Sequence, residues 1–255
     1  MVKIKSDTSI DAMREAGRIV AQALATVREA AAVGISLREL DGAARAVLAG
    51  AGAGSPFLDY RPSWAPTPFP AVICASVNDA IVHGIPDDYR LRDGDLVSID
   101  CGATLDGWVG DAAVSLTVGR ARPEDVHLIA TAEEALQAGI AAAVVGNRIG
   151  DIAHAVGRVC RSAGYGIPDG FGGHGIGRHM HEDPGVPNEG RAGRGMPLRH
   201  GMVLAIEPMV ISSGKDEHRT AGDGWTIRTT DGSRASHAEH TVAITDDGPR
   251  VLTAL

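Results

Sequence analysis

Residues 98–113, SIDCGATLDGWVGDAA, decide the fold, because they place two aspartates on one tight hairpin. The apolar residues before Asp100 read as a strand entering the turn, and WVGDAAVSLTV reads as a strand leaving it. Asp106 and Gly107 suit a two-residue type I′ turn, since both tolerate positive φ. That turn sets Leu105 opposite Trp108 and Gly102 opposite Asp111. Asp100 and Asp111 then share a face as diagonal neighbours at roughly 7–8 Å. Two carboxylates so placed on a half-buried face repel each other unless protons or cations intervene.

Around this hairpin the chain repeats itself. Helical periodicity runs from about Ile10 to Ala32, and a second helix is expected from Ser36, where Ser36 and Glu39 form a capping box. Pro123 suits the first turn of a third helix, and a fourth is expected from about Gly150 to Ala163. Shifting the sequence by 112 residues aligns the first helix pair with the second, so that Val33-Gly34 recurs as Val145-Gly146 and Ala51-Gly52 as Ala163-Gly164. GDLVSID at 94–100 likewise resembles GMVLAIE at 201–207, each an apolar run ending in an acid. The expectation is one α+β domain over 1–255, in two similar halves of roughly 10–120 and 121–245, with the acids meeting at the centre.

Composition narrows the function. A chain of 255 residues with 44% hydrophobic and 22% charged residues can bury a core and is not of the disordered class. No apolar run reaches the 18 residues of a membrane span, and no secretory leader follows Lys3 and Lys5. Cys74, Cys101 and Cys160 show no CxxC spacing, which fits a reducing cytoplasm. The net charge of −8 comes without a basic block, so no nucleic-acid partner is expected.

Further acids and imidazoles complete the constellation. GFGGHGIGRHMHEDP carries His174, His179 and His181, with glycines that let the backbone come close to whatever the imidazole touches. Glu207 and Glu239 stand in otherwise apolar strands, where an acid needs a partner. Four carboxylates and one imidazole form an oxygen-rich donor set, unlike the closed Cys/His tetrahedron of structural zinc. Four negative charges balance two divalent cations, and the mixed donors favour Mn, Fe or Co, with Zn admissible. Metal-assisted hydrolysis is the expected chemistry. GFGGHG also fits GxGxxG at Gly170, Gly172 and Gly175, but no apolar-periodic helix follows, so a nucleotide site is not expected. HMHEDP lacks the second histidine of HExxH. His179, His218, His237 and His240 are expected at the surface or in supporting positions.

With SVNDAIVHGIP around His83 and GGHGIGRHMHEDP around His174 and His181, these acids resemble the type I methionine aminopeptidases, members of the pita-bread fold group. The resemblance runs from MREAGRIV to EHTVAIT. It implies a pseudo-two-fold fold with a curved antiparallel sheet covered by two helix pairs. It further implies that Asp100 binds one metal, that Asp111 and Glu239 bridge two, and that His174 and Glu207 complete the other. By the same resemblance Glu207 is the general acid and base, His181 donates to the scissile carbonyl oxygen, and His83 contacts the scissile amide nitrogen. Phe69, Cys74, Met180 and Trp225 match the methionine pocket. Pro66 and Met180 depart from the commoner pattern of tyrosine and phenylalanine there. The implied substrate is the N-terminus of a nascent polypeptide at the ribosome with a small second residue, and a cytoplasmic monomer is expected. A proline-directed aminopeptidase or prolidase of the same fold, and a non-catalytic peptide-binding member, are the alternatives.

Overall fold

The computed structural model describes residues 2–255. Helix α1 (Asp7–Ala30) begins three residues ahead of the periodicity, because Ser6 caps it and its hydroxyl accepts from the Ser9 amide at 3.3 Å. Apolar spacing finds the first buried residue, Ile10, and not the cap. Helix α2 (Leu37–Gly50) starts behind the expected capping box, with the Ser36 amide donating to Glu39 at 2.8 Å. Strands β1 (Ile73–Val77), β2 (Ala80–Val82), β3 (Leu96–Leu105) and β4 (Trp108–Thr117) follow, then α3 (Pro123–Ala142) and α4 (Ile149–Ser162). Under the 112-residue shift α4 coincides with α2 at both ends.

The rest of the chain adds β5 (Gly172–Gly175), β6 (Glu182–Pro187), β7 (Val203–Ile206), β8 (Met209–Ile211), β9 (His218–Thr220) and β10 (Ile227–Thr229). It closes with β11 (Ala235–His237), β12 (Glu239–Thr245) and β13 (Gly248–Val251). The main sheet runs β1-β3-β4-β12-β7-β5-β6, with β13 also on β12, and its paired strands are antiparallel. Its centre is β4 against β12, flanked on each side by the strand of the GDLVSID or GMVLAIE motif. This is the pseudo-two-fold arrangement that the sequence implied.

Alternation in the hairpin separates core from site. Ile99, Cys101 and Ala112 turn toward α1 and α2, where they pack with Val20, Leu24 and Leu40. A matching cluster joins Leu128, Leu136, Ile152 and Val156 of α3 and α4 to Leu204, Ile206 and Val242. Each fully buried aliphatic side chain of this kind contributes about 1.5–3 kcal/mol. Between α1 and β4 the backbones approach so closely that a Cβ on Gly110 would lie 2.9 Å from the Gly17 Cα.

Candidate metal centre and apolar pocket

The turn forms as its residues dictate. Asp106 and Gly107 take φ of 50° and 74°, Leu105 faces Trp108, and Gly102 faces Asp111. Asp100 and Asp111 therefore leave β3 and β4 on one side. Glu239 enters from the first residue of β12, which pairs with Ala113 beside Asp111. Glu207 follows the last residue of β7 and is held there by the Asn188 side-chain amide, which donates to its carbonyl at 2.9 Å. Glu239 is thus an acid within an otherwise apolar strand, as expected, whereas Glu207 stands just past the end of β7. Pro208 after Glu207 has no amide to continue the ladder.

All eleven residues singled out for the site line one cavity of about 770 Å³: the four acids and one imidazole of the donor set, His83, His181, Phe69, Cys74, Met180 and Trp225. Asp111, His174 and Glu239 offer ligand atoms within 4.8 Å of one another. The His174 Nε2 lies 3.5 Å from Glu207 Oε1. The Asp111 backbone is pinned to β12 in both directions, its amide donating to Thr241 Oγ1 at 3.0 Å and its carbonyl accepting from that hydroxyl at 2.8 Å.

These groups fit divalent cations. Asp100 Oδ1, Asp111 Oδ1 and Glu239 Oε1 are buried without a hydrogen-bond partner, a costly state for a carboxylate unless a cation or a proton satisfies it. Burial pushes the Asp100 carboxyl up to about 7 and that of Glu207 up to about 8. Burial and mutual repulsion drive Asp111 and Glu239 well above the carboxylate range. His174 presents the tautomer that a metal needs, since its Nδ1 lies 2.9 Å from the Gly175 carbonyl and donates to it, which leaves Nε2 its lone pair. Burial holds this imidazole neutral by lowering it to about 3.

The glycines beside His174 serve the sheet rather than the imidazole. A Cβ on Gly173 would sit 2.1 Å from the Ala205 carbonyl oxygen of β7. His83 stands at φ 59°, a strained position for a side-chain-bearing residue, and burial lowers it to about 4. Rings pack around it, with Phe171 at 6.1 Å, Trp64 at 6.2 Å and Trp225 at 6.3 Å between centroids. His181 is at the exposed rim, its Nδ1 3.0 Å from the Tyr60 hydroxyl.

Phe69, Cys74, Met180 and Trp225 form one buried apolar wall with Phe57. Trp225 meets Phe69 edge to face at 5.1 Å and anchors its indole Nε1 on the Thr67 carbonyl at 3.0 Å. Pro66 and Met180, the two departures from the commoner pattern, both line the cavity. The sequence reading missed Phe57, Tyr60, Trp64, Phe171 and His218 as lining residues. A signal was available: of three Phe, three Trp and three Tyr, six line this cavity. Of the two places expected for it, His237 takes the buried, supporting one. It is 2% exposed, with Nε2 at 3.5 Å from Glu207 Oε2 and 4.0 Å from Glu239 Oε2. All three residues of β11 are buried where it pairs with β8. His179 is exposed, and His240 turns away to the Thr253 hydroxyl.

Residues 11–246 match metallopeptidase family M24. The chain belongs to that family. Among its relatives within M24, methionine aminopeptidase 1 of Mycobacterium tuberculosis is 52% identical over 260 residues, covering 99% of this chain and 95% of the relative. A crystal structure of a methionine aminopeptidase from Thermotoga maritima superposes with a TM-score of 0.95 at 37% identity, covering all of both chains. The prolidase from Pyrococcus furiosus gives a TM-score of 0.78 at 24% identity and covers 99% of this chain but 65% of that one, which marks a shared fold. As a member of M24 with methionine aminopeptidase relatives along its whole length, the chain is a metalloaminopeptidase with the pita-bread fold.

Proposed function

We propose that this M24 enzyme removes the N-terminal methionine from peptides and nascent proteins, with two divalent cations and a preference for a small second residue. The observation that carries the reading is the junction, in one cavity, of the buried acid and imidazole cluster with the Phe69, Cys74, Met180 and Trp225 wall. Soft and aromatic groups suit a thioether. Asp100, Asp111, His174, Glu207 and Glu239 would hold the cations, which would supply Lewis acidity and lower the pKa of an attacking water.

The chain's own groups divide the remaining work. Glu207, buried beside His174, takes the proton of the attacking water and returns it to the leaving amine. The Tyr60 hydroxyl donates to His181 Nδ1, which keeps the ring proton on Nε2 for the developing oxyanion. His83, neutral and wedged among three rings, contacts the scissile nitrogen. Crowding around it supports a small second residue. In this reading residues 1–255 act as one catalytic domain, a monomer, with each half bringing its own acids. No described helix is long and apolar enough to cross a membrane, and three buried, unpaired cysteines suit a reducing cytoplasm.

The test is release of methionine from Met-Ala-Ser by stripped protein reloaded in turn with Mn, Fe, Co or Zn, with an Xaa-Pro peptide alongside. Methionine release from the first peptide supports the reading. Cleavage of the Xaa-Pro peptide alone would transfer the protein to the proline-directed group, and no turnover with any cation would leave a peptide-binding role.

A further inference from the structure

His237 is not among the residues to which the resemblance gives a role. It is nonetheless buried at 2% exposure, and its Nε2 makes no hydrogen bond. An imidazole nitrogen this deep without a partner is costly, and it points at two of the site's carboxylates. Glu207 is flanked evenly: Oε1 lies 3.5 Å from His174 Nε2, and Oε2 lies 3.5 Å from His237 Nε2. Ligands bound about 2.0–2.2 Å from one ion at ordinary angles stand roughly 3–3.5 Å apart. The spacing that qualifies His174 as a nitrogen donor therefore qualifies His237 as well. Glu207, His237 and Glu239 form a second group of three donors within 4.8 Å of one another, beside the group of Asp111, His174 and Glu239.

The ring is also held in place. The backbone of His237 is fixed in both directions by Ser115, whose hydroxyl donates to its carbonyl at 2.8 Å and accepts from its amide at 3.1 Å. The Ser98 hydroxyl, 2.7 Å away, completes a buried chain of hydrogen bonds from β3 to β11. An imidazole carried on so fixed a backbone is preorganised for a ligand rather than left to adapt to one.

We propose that His237 is a further metal ligand of this protein, through Nε2, so that the centre holds its cations with two imidazoles instead of one. This rests on the dinuclear reading above and deepens it. A second nitrogen shifts a carboxylate-rich site toward the later first-row ions, Co, Ni and Zn, and away from Mn and Mg.

The experiment loads stripped protein with Co(II) or Mn(II) and reads affinity by calorimetry and bound imidazole nitrogens by pulsed electron paramagnetic resonance. Wild type is expected to show two classes of histidine nitrogen and His237→Gln one. The variant is also expected to bind Co(II) at least tenfold more weakly, with a smaller loss for Mn(II). A single histidine nitrogen in wild type overturns the proposal without any variant, so a misfolded His237→Gln leaves it decidable. Equal Co(II) affinity and spectra in wild type and folded variant also overturn it, while methionine release by wild type would leave the dinuclear reading standing. Failure of wild type to bind any cation would overturn both together.

Discussion

Stripping the cations should make the protein less stable as pH rises through neutrality, the reverse of the usual behaviour of paired carboxylates. Glu207 stands at about 8, and Asp111 and Glu239 are well above the carboxylate range. A carboxyl raised in the folded state contributes stability that is full below its unfolded value and lost as pH climbs through the folded value. Glu207 at about 8 and Asp100 at about 7 together hold about one proton on average between pH 7 and pH 8, so the loss is about 1.4 kcal/mol per pH unit. With an unfolding entropy of about 2.1 cal/mol/K per residue, that lowers the midpoint of a chain this long by about 2.5 °C per pH unit. The histidines act in the opposite sense but elsewhere. His83 and His174, lowered to about 4 and about 3, lose stability only as pH falls below about 6.5, where the unfolded chain takes up their protons. Thermal unfolding by circular dichroism on chelator-dialysed protein at fixed ionic strength reads the slope. The double variant Asp100→Asn with Glu207→Gln should be flatter over the same interval and more stable than stripped wild type at pH 8. A stripped wild-type midpoint that stays level or rises from pH 7 to pH 8 would refute the assignment of protons to these acids.

Other perturbations test neighbouring parts of the argument. His181→Ala should lower kcat about 10²–10³-fold, with Tyr60→Phe giving a smaller loss in the same direction because the hydroxyl sets the tautomer; steady-state kinetics on Met-Ala-Ser separates them. Trp225→Ala empties the pocket wall against Phe69 and should destabilise the fold by about 3–5 kcal/mol while raising KM more than it lowers kcat, read by denaturant melts and kinetics. Gly110→Ala forces β4 away from Gly17 of α1 and should destabilise by about 1–3 kcal/mol, which a denaturant melt of the stripped protein checks.

Much of this was legible in the residues because it is local. Asp106-Gly107 fixes the hairpin register, and register alone puts Asp100 and Asp111 on one side. Ser36 and Glu39 announce a helix start by their own chemistry. The placement of His237 was not legible, since the burial of a three-residue strand depends on β8 and on Ser115, over a hundred residues away. Strands β2, β8, β9, β10 and β11 span three residues each, too short for a period of two to stand out. Tyr60 and Trp64 were missed for a related reason. They come from a proline-punctuated loop whose path is set by what it covers, and Trp64 remains 58% exposed while facing His83 and Trp225.

The join between β4 and β12 has a further consequence. It is registered over only two rungs, Glu239 with Ala113 and His240 with Ala112, whereas β3 and β4 pair over ten. One of the two shortest ladders in the main sheet, the other being β5 on β7, therefore lies directly beneath its densest charge. Breathing of the protein should begin at this suture, so the amides of residues 111–113 and 239–241 would exchange with deuterated solvent faster once the ions are withdrawn, well before the helices on the far face let go.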